Sequence, residues 1–170
     1  MKRIACSLLL FTGVAHADCW ERAGSMFGIA PELLYAIAEQ ESSLNPRAVG
    51  RNRDGSEDLG LMQINSRHLP RLRQLGISES QLLKDSCLSI IVGASILSDM
   101  MKRYGYSWEA VGAYNAGTAP GRHEVRVRYA KQVWRRYQRL TAVIATADRG
   151  IEKYAVNERR PANAGQKVRS

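Results

Sequence analysis

The sequence predicts a mainly α-helical fold, with one domain over residues 18–140, an export signal ahead of it at 1–17 and a basic tail behind it at 141–170. Three observations carry this reading. Apolar residues recur with helical spacing in three separate stretches, and helix-capping residues stand where those stretches begin and end. No stretch shows the alternation of a half-buried strand. Once the signal is set aside, the remaining length can bury one substantial core but not two comfortable ones.

Lys2 and Arg3 give the chain a positive start, Ile4 to Val14 form a short apolar run, and Ala15-His16-Ala17 is a small-x-small cleavage site. The run is too short to span a bilayer as a retained helix. The expectation is cleavage after Ala17, no transmembrane span, and a soluble exported protein. Cys6 leaves with the signal, so the mature chain holds Cys19 and Cys87. An even pair in an oxidising compartment is expected to close a disulfide, worth roughly 4 kcal/mol on the chain-entropy model; two buried free thiols are the alternative.

The net charge of +9 is unevenly placed. Residues 18–121 hold 10 Lys/Arg against 12 Asp/Glu, whereas residues 122–170 hold 13 against 4. Basicity therefore belongs to the C-terminal part. It suits contact with anionic polymers, lipid headgroups or an acidic partner, or simply a solvated tail.

The central helix begins near Pro31-Glu32, where proline forfeits no needed hydrogen bond and an acid complements the helix dipole. Leu34, Ile37, Ala38 and Glu41 fall at i, i+3, i+4 and i+7, so Glu41 lies on the core-facing stripe while Glu39 points elsewhere. Two readings of Glu41 are open. It is a solvated or arginine-paired glutamate at the edge of the stripe, or a desolvated acid held protonated near neutral pH to serve as a proton donor.

Asn45 to Asp58 is polar and turn-rich and predicts a surface loop. Leu59-Gly60-Leu61-Met62-Gln63-Ile64-Asn65 is abruptly apolar, and its two amides need partners if buried. Leu69-Pro70 and Leu72 to Ile77 predict a short irregular helical segment ending at Gly76. Asp85-Ser86 caps a long helix with Ile90, Ala94, Leu97, Met101 and Tyr104 on one stripe. Ser107 caps the next, Trp108 to Tyr114, which closes at Asn115-Ala116-Gly117. Val125, Tyr129, Val133 and Tyr137 mark a last helix whose other faces carry Arg126, Arg128, Lys131, Arg135, Arg136 and Arg139; from about Thr141 the pattern is lost. Pro161 to Ser170 has no apolar face and reads as flexible.

Three pieces stand in order: Glu41-Ser42 at the end of an apolar helix, Gly60-Leu61-Met62-Gln63-Ile64, and Ala113-Tyr114-Asn115-Ala116-Gly117. This ordered set resembles the lytic transglycosylases of the lysozyme-like superfamily, over roughly Asp18 to Trp134. It is most similar to the small single-domain type associated with type III and type IV secretion, conjugation and pili, which shares the placement of Cys19 and Cys87. The resemblance implies a goose-lysozyme-type helical domain in the periplasm. It also implies cleavage of the β-1,4 bond between N-acetylmuramic acid and N-acetylglucosamine in peptidoglycan, leaving 1,6-anhydromuramyl ends.

By position, Glu41 would then be the sole catalytic acid and base. Ser42 would hydrogen-bond the substrate or its acetamido group, or else its own backbone. Met62 and Gln63 would line the sugar cleft, with Gly60 allowing close approach of backbone to ligand. Tyr114 would orient Glu41 through its hydroxyl, Asn115 would contact the sugar or hold the loop, and Tyr129 would be a further cleft tyrosine; Tyr114 and Asn115 are otherwise ordinary core and capping residues.

The competing enzyme is a hydrolysing muramidase, which needs a second carboxyl. Asp54, Glu57 and Asp58 are its candidates. A non-catalytic peptidoglycan-binding component of an envelope machine is the reading from another class, opposed by the presence of Glu41. No cofactor is implied and no metal site is expected, since His68 and His123 lack paired ligand spacing. Nucleic-acid binding is not expected of an exported chain without a recognition motif.

Overall fold

A computed structural model describes residues 14–158 and, within them, the side-chain surroundings of residues 18–149. The expected signal lies outside the described residues except for the backbone of 14–17, and so does the end of the expected tail, 159–170. Helix α1 (Val14–Phe27) has no counterpart in the sequence reading, because its first turn belongs to the segment assigned to the signal. A left-handed Gly28 leads to α2 (Pro31–Ser42), which starts with proline in its first turn and Glu32 beside it.

Leu33, Leu34, Ala36, Ile37 and Ala38 of α2 are all buried, so α2 is a core helix on more than one face. Its end is sharply turned. The Ser43 and Leu44 amides return to the Glu39 and Ala38 carbonyls, and both residues are left-handed, at φ 52° and 64°. Each costs on the order of 1 kcal/mol in a residue with a side chain. The strained turn stands within three residues of Glu41.

The segment expected to be a plain loop contains strands. β1 (Val49–Arg51), β2 (Glu57–Leu59) and β3 (Ile64–Asn65) form an antiparallel sheet in that order, with Arg51 opposite Glu57 and Leu59 opposite Ile64. Strands this short show no readable alternation. The sheet touches the core through Leu59 and Ile64 alone.

A 3-10 turn at Ser66–His68, capped by the Asn65 side chain, leads into α3 (Leu69–Gln74). α4 (Glu79–Lys84), not expected from the sequence, begins with a Ser78/Gln81 capping box. α5 (Ser86–Tyr104) starts at the Asp85 cap and buries Ile90, Ala94 and Leu97 of the expected stripe. α6 (Trp108–Ala116) starts at the Ser107 cap. A disulfide joins Cys19 on α1 to Cys87 on α5 across a sequence separation of 68, with Cα atoms 5.3 Å apart.

α7 (His123–Glu158) packs on α2 and α6, with Tyr129 and Val133 inside and Trp108, Trp134 and Tyr137 clustered at the α6 contact. The helix does not stop where its apolar pattern fades. It continues unbroken to Glu158, while residues 142–149 are exposed. The pattern is lost there because the helix leaves the surface against which it buries a face. Among the described residues no helix is long and apolar enough to cross a membrane.

Candidate active site

A cleft of about 810 Å³ runs between the β1–β2 hairpin and the loop joining α6 to α7, with Glu41 in its wall. That volume lies in the upper range for small-molecule sites. Most of its lining residues are polar, with 52–54, 56, 58, 63–65, 67 and 68 on one side and Tyr114 to Ala119 with Arg122 on the other.

Glu41 reaches the cleft from the last turn of α2, on the stripe that also buries Leu34, Ile37 and Ala38. Burial raises its pKa from 4.5 to about 7. The negative charge of Asp58 pushes in the same direction, whereas hydrogen bonds from the Tyr129 hydroxyl and the Asn115 amide favour the ionised form. The Tyr129 hydroxyl donates to Glu41 Oε1 at 2.5 Å. Burial and the nearby Glu41 charge raise the Tyr129 pKa well above its usual value, so the hydroxyl keeps its proton and remains a donor.

The tyrosine that orients Glu41 is therefore Tyr129 and not Tyr114. The Tyr114 hydroxyl donates instead to the Met62 carbonyl at 2.7 Å, across the gap between α6 and the turn before β3. The Ser89 hydroxyl accepts from the Met62 amide at 3.2 Å, so the Met62 backbone is held at both its N–H and its C=O. The Met62 side chain is fully buried and packs against Gly93, where an added Cβ would lie 2.7 Å from Met62 Cε. Met62 is thus a core residue with a braced backbone and does not line the cleft.

Gly60 does not line the cleft and is closely packed. It is left-handed at φ 71°, and a Cβ there would lie 2.5 Å from the Leu82 carbonyl oxygen of α4. Gln63 does line the cleft, itself left-handed at φ 48°, and its amide donates to the Ala48 and Gly60 carbonyls, fastening the turn. The Ser42 hydroxyl lies 2.7 Å from the Leu61 carbonyl and 3.2 Å from that of Ala38, so it ties α2 to the same turn. Asn115 is exposed in the cleft wall next to Glu41.

Of the three candidate second carboxyls, Glu57 pairs across the sheet with Arg51 at 3.3 Å and does not line the cleft. Asp54 and Asp58 do. Hydrogen bonds from the Ser56 hydroxyl and amide, with Arg67 alongside, hold Asp54 below the usual carboxylate range. Asp58 accepts from the Asn52 and Asn65 amides at 2.9 and 2.8 Å. Among the described residues no three His, Cys, Asp or Glu side chains are grouped to hold a metal ion.

One residue of the site was hidden in the basic face of α7. Arg126 is buried, ion-paired to Glu109, and within 3.3 Å of the Gly117 and Ala119 carbonyls, which belong to the cleft wall. Its guanidinium also lies 5.5 Å from the centre of the Tyr104 ring. The backbone of Arg126 packs so closely on Gly112 that a Cβ there would lie 2.4 Å from the Arg126 carbonyl oxygen. Glycine at 112 is the one sequence signal for this contact, and it is legible only once the two helices are placed.

Comparison with known proteins agrees with the cleft. The profile of the family described as "Transglycosylase SLT domain" matches residues 18–137. "Invasion protein IagB" of Salmonella typhimurium is 65% identical over 137 residues, which are 81% of this chain and 86% of that protein. "Protein IpgF" of Shigella flexneri is 48% identical over 84% of this chain and 94% of its own length. Among solved structures, an inactive mutant of the lytic transglycosylase Slt from Pseudomonas aeruginosa superposes with a TM-score of 0.59 at 26% identity. That match covers 76% of this chain and 25% of the much longer Slt protein. The family match spans every element that builds the cleft, from the cysteine-bearing α1 to the tyrosine over Glu41, and the chain belongs to the transglycosylase SLT domain family.

Proposed function

We propose that this chain is a peptidoglycan lytic transglycosylase with Glu41 as its single acid and base. The observation that carries the reading is the raised pKa of Glu41, about 7, on a residue that opens into a polar cleft and accepts a hydrogen bond from Tyr129. An acid of that strength keeps a large protonated fraction at neutral pH and still gives the proton up readily. In the first step the Glu41 carboxyl protonates the oxygen linking N-acetylmuramic acid to N-acetylglucosamine. The bond from muramyl C1 to that oxygen breaks, and the N-acetylglucosamine 4-hydroxyl leaves.

In the second step the Glu41 carboxylate takes the proton of the muramyl C6 hydroxyl as that oxygen bonds to C1. The product is a 1,6-anhydromuramyl end, the acid is regenerated, and no water is consumed. Tyr129 holds the carboxyl in place through both protonation states, and Asn115 is set to contact the sugar. The work is expected in the periplasm after removal of residues 1–17, a reading supported by the Cys19–Cys87 disulfide. A role in opening the wall locally for a secretion or pilus apparatus is supported by the relative named an invasion protein.

A hydrolysing muramidase is the second reading, and Asp58 is the observation in its favour. Asp58 lines the same cleft, and its charge reaches Glu41. Both of its oxygens are already occupied by Asn52 and Asn65, an arrangement that suits a wall-forming residue better than a base awaiting water. The deciding experiment is mass spectrometry of peptidoglycan fragments released by the mature protein and by Glu41→Gln. Anhydromuramyl ends, lighter than reducing ends by one water and missing from the variant digest, support the transglycosylase; Glu41-dependent reducing ends support the muramidase.

A further inference from the structure

Apart from Glu41, the acids and arginines of the cleft fall into two sets. Asp54, Asp58 and Arg67 are internally satisfied: Arg67 pairs with Asp54 at 2.6 Å, Ser56 completes Asp54, and Asn52 with Asn65 completes Asp58. Arg53 and Arg122 are not. Both are exposed in the cleft lining, one beside Asn52 on the hairpin and one in the loop before α7, so each wall contributes one. Neither guanidinium has a hydrogen-bond or carboxylate partner among the described residues.

The glycan backbone cannot use them as charges, because its hydroxyl and acetamido groups are neutral. Anions on peptidoglycan stand on the lactyl arm of the muramyl sugar, as the free carboxylates of the stem peptide or, where no stem is attached, as the lactyl carboxylate itself. Guanidinium groups form short, forked, charge-assisted bonds to such carboxylates. Resting on the proposed peptidoglycan reading, we infer that Arg53 and Arg122 bind the carboxylates carried by the muramyl lactyl arm, so that the cleft selects anionic wall strands over neutral sugar polymers.

The test is binding of the full chain carrying Glu41→Gln to three probes held on a solid support. These are sacculi with stems intact, glycan strands freed of their stems by an amidase and so left with lactyl carboxylates, and chitin, which is neutral. Adding Arg53→Ala and Arg122→Ala together is expected to weaken binding to intact sacculi about tenfold, as for losing charge-assisted contacts. The loss on chitin is expected to be markedly smaller.

Arg53→Lys with Arg122→Lys should recover part of the binding, and added salt should weaken the parent chain more than the alanine variant. Arginine dependence that survives stripping assigns the contact to the lactyl carboxylate; dependence that disappears assigns it to the stem. Equal losses on sacculi and chitin, or no loss on sacculi, overturn the inference. Binding is read without catalysis, so an unmodified chain that released no anhydromuramyl ends would defeat the proposed function and leave this contrast intact.

Discussion

The two walls of the cleft hold carboxyl groups under opposite conditions. On the α2 side Glu41 is desolvated, meets one hydroxyl donor at 2.5 Å, and titrates near neutrality. On the hairpin side Asp54 and Asp58 stand among amides, a serine and an arginine that stabilise the charged form. Both walls are acidic in sequence, and one is equipped to exchange a proton at pH 7. Placement on a buried stripe of a core helix, rather than the number of acids nearby, makes the difference.

The sharpest way to break the contrast is Glu41→Gln. Wall cleavage is expected to fall by at least about a thousandfold, measured as released fragments, since the acid poised near neutrality is removed. The same change should stabilise the fold above neutrality. A raised folded-state pKa means that the folded chain binds more protons than the unfolded chain between pH 4.5 and about 7, so stability falls as pH rises through that window. The glutamine variant escapes this loss. Thermal denaturation should show it more stable than the parent at pH 8, by up to about 3 kcal/mol, with the advantage shrinking towards pH 4.

Tyr129→Phe removes the donor that favours the carboxylate. Turnover should fall about 10- to 100-fold, the value of one charge-assisted hydrogen bond, and the alkaline limb of the activity profile should move to higher pH. Arg126→Met acts on the loop between α6 and α7 by freeing the Gly117 and Ala119 carbonyls and leaving Glu109 without its guanidinium. A several-fold rise in KM and a loss of about 2 kcal/mol in stability are expected from kinetics and denaturant unfolding.

Asp58→Asn should have the smallest effect, a few-fold change in rate. Its signature is the direction of the pH shift. Removing a negative charge near Glu41 moves the alkaline limb to lower pH, opposite to Tyr129→Phe. A loss as deep as that of Glu41→Gln would show that the hairpin wall shares in the chemistry, as a hydrolysing enzyme requires.

What the sequence showed and hid follows from the range of the forces involved. The Glu41 stripe, the Asp85 and Ser107 caps and the stripes of α5 and α7 depend on neighbours within two turns, and they are legible by spacing. The short strands depend on pairing across the sheet and leave no pattern of their own. Gly60 and Met62 stand out in the sequence, but whether they face ligand or core is decided by α4 and α5.

The resemblance assigns Tyr114 to Glu41 and leaves Tyr129 as a further cleft tyrosine, whereas Tyr129 makes the contact. The choice rests on a contact 88 residues apart in the chain, set by how α7 crosses α2. Arg126 was obscured by company, one buried arginine among exposed ones on the same helix.

The central claim is that Glu41 is a desolvated acid poised near neutrality, and its carboxyl carbon can be titrated directly. Carbon-13 NMR of the protein labelled at glutamate side chains, with the Glu41 signal identified by its loss in Glu41→Gln, reads the midpoint without any assumption about substrate. A midpoint near pH 7 is the predicted result. A midpoint near 4.5, the value of an ordinary glutamate, would contradict the account.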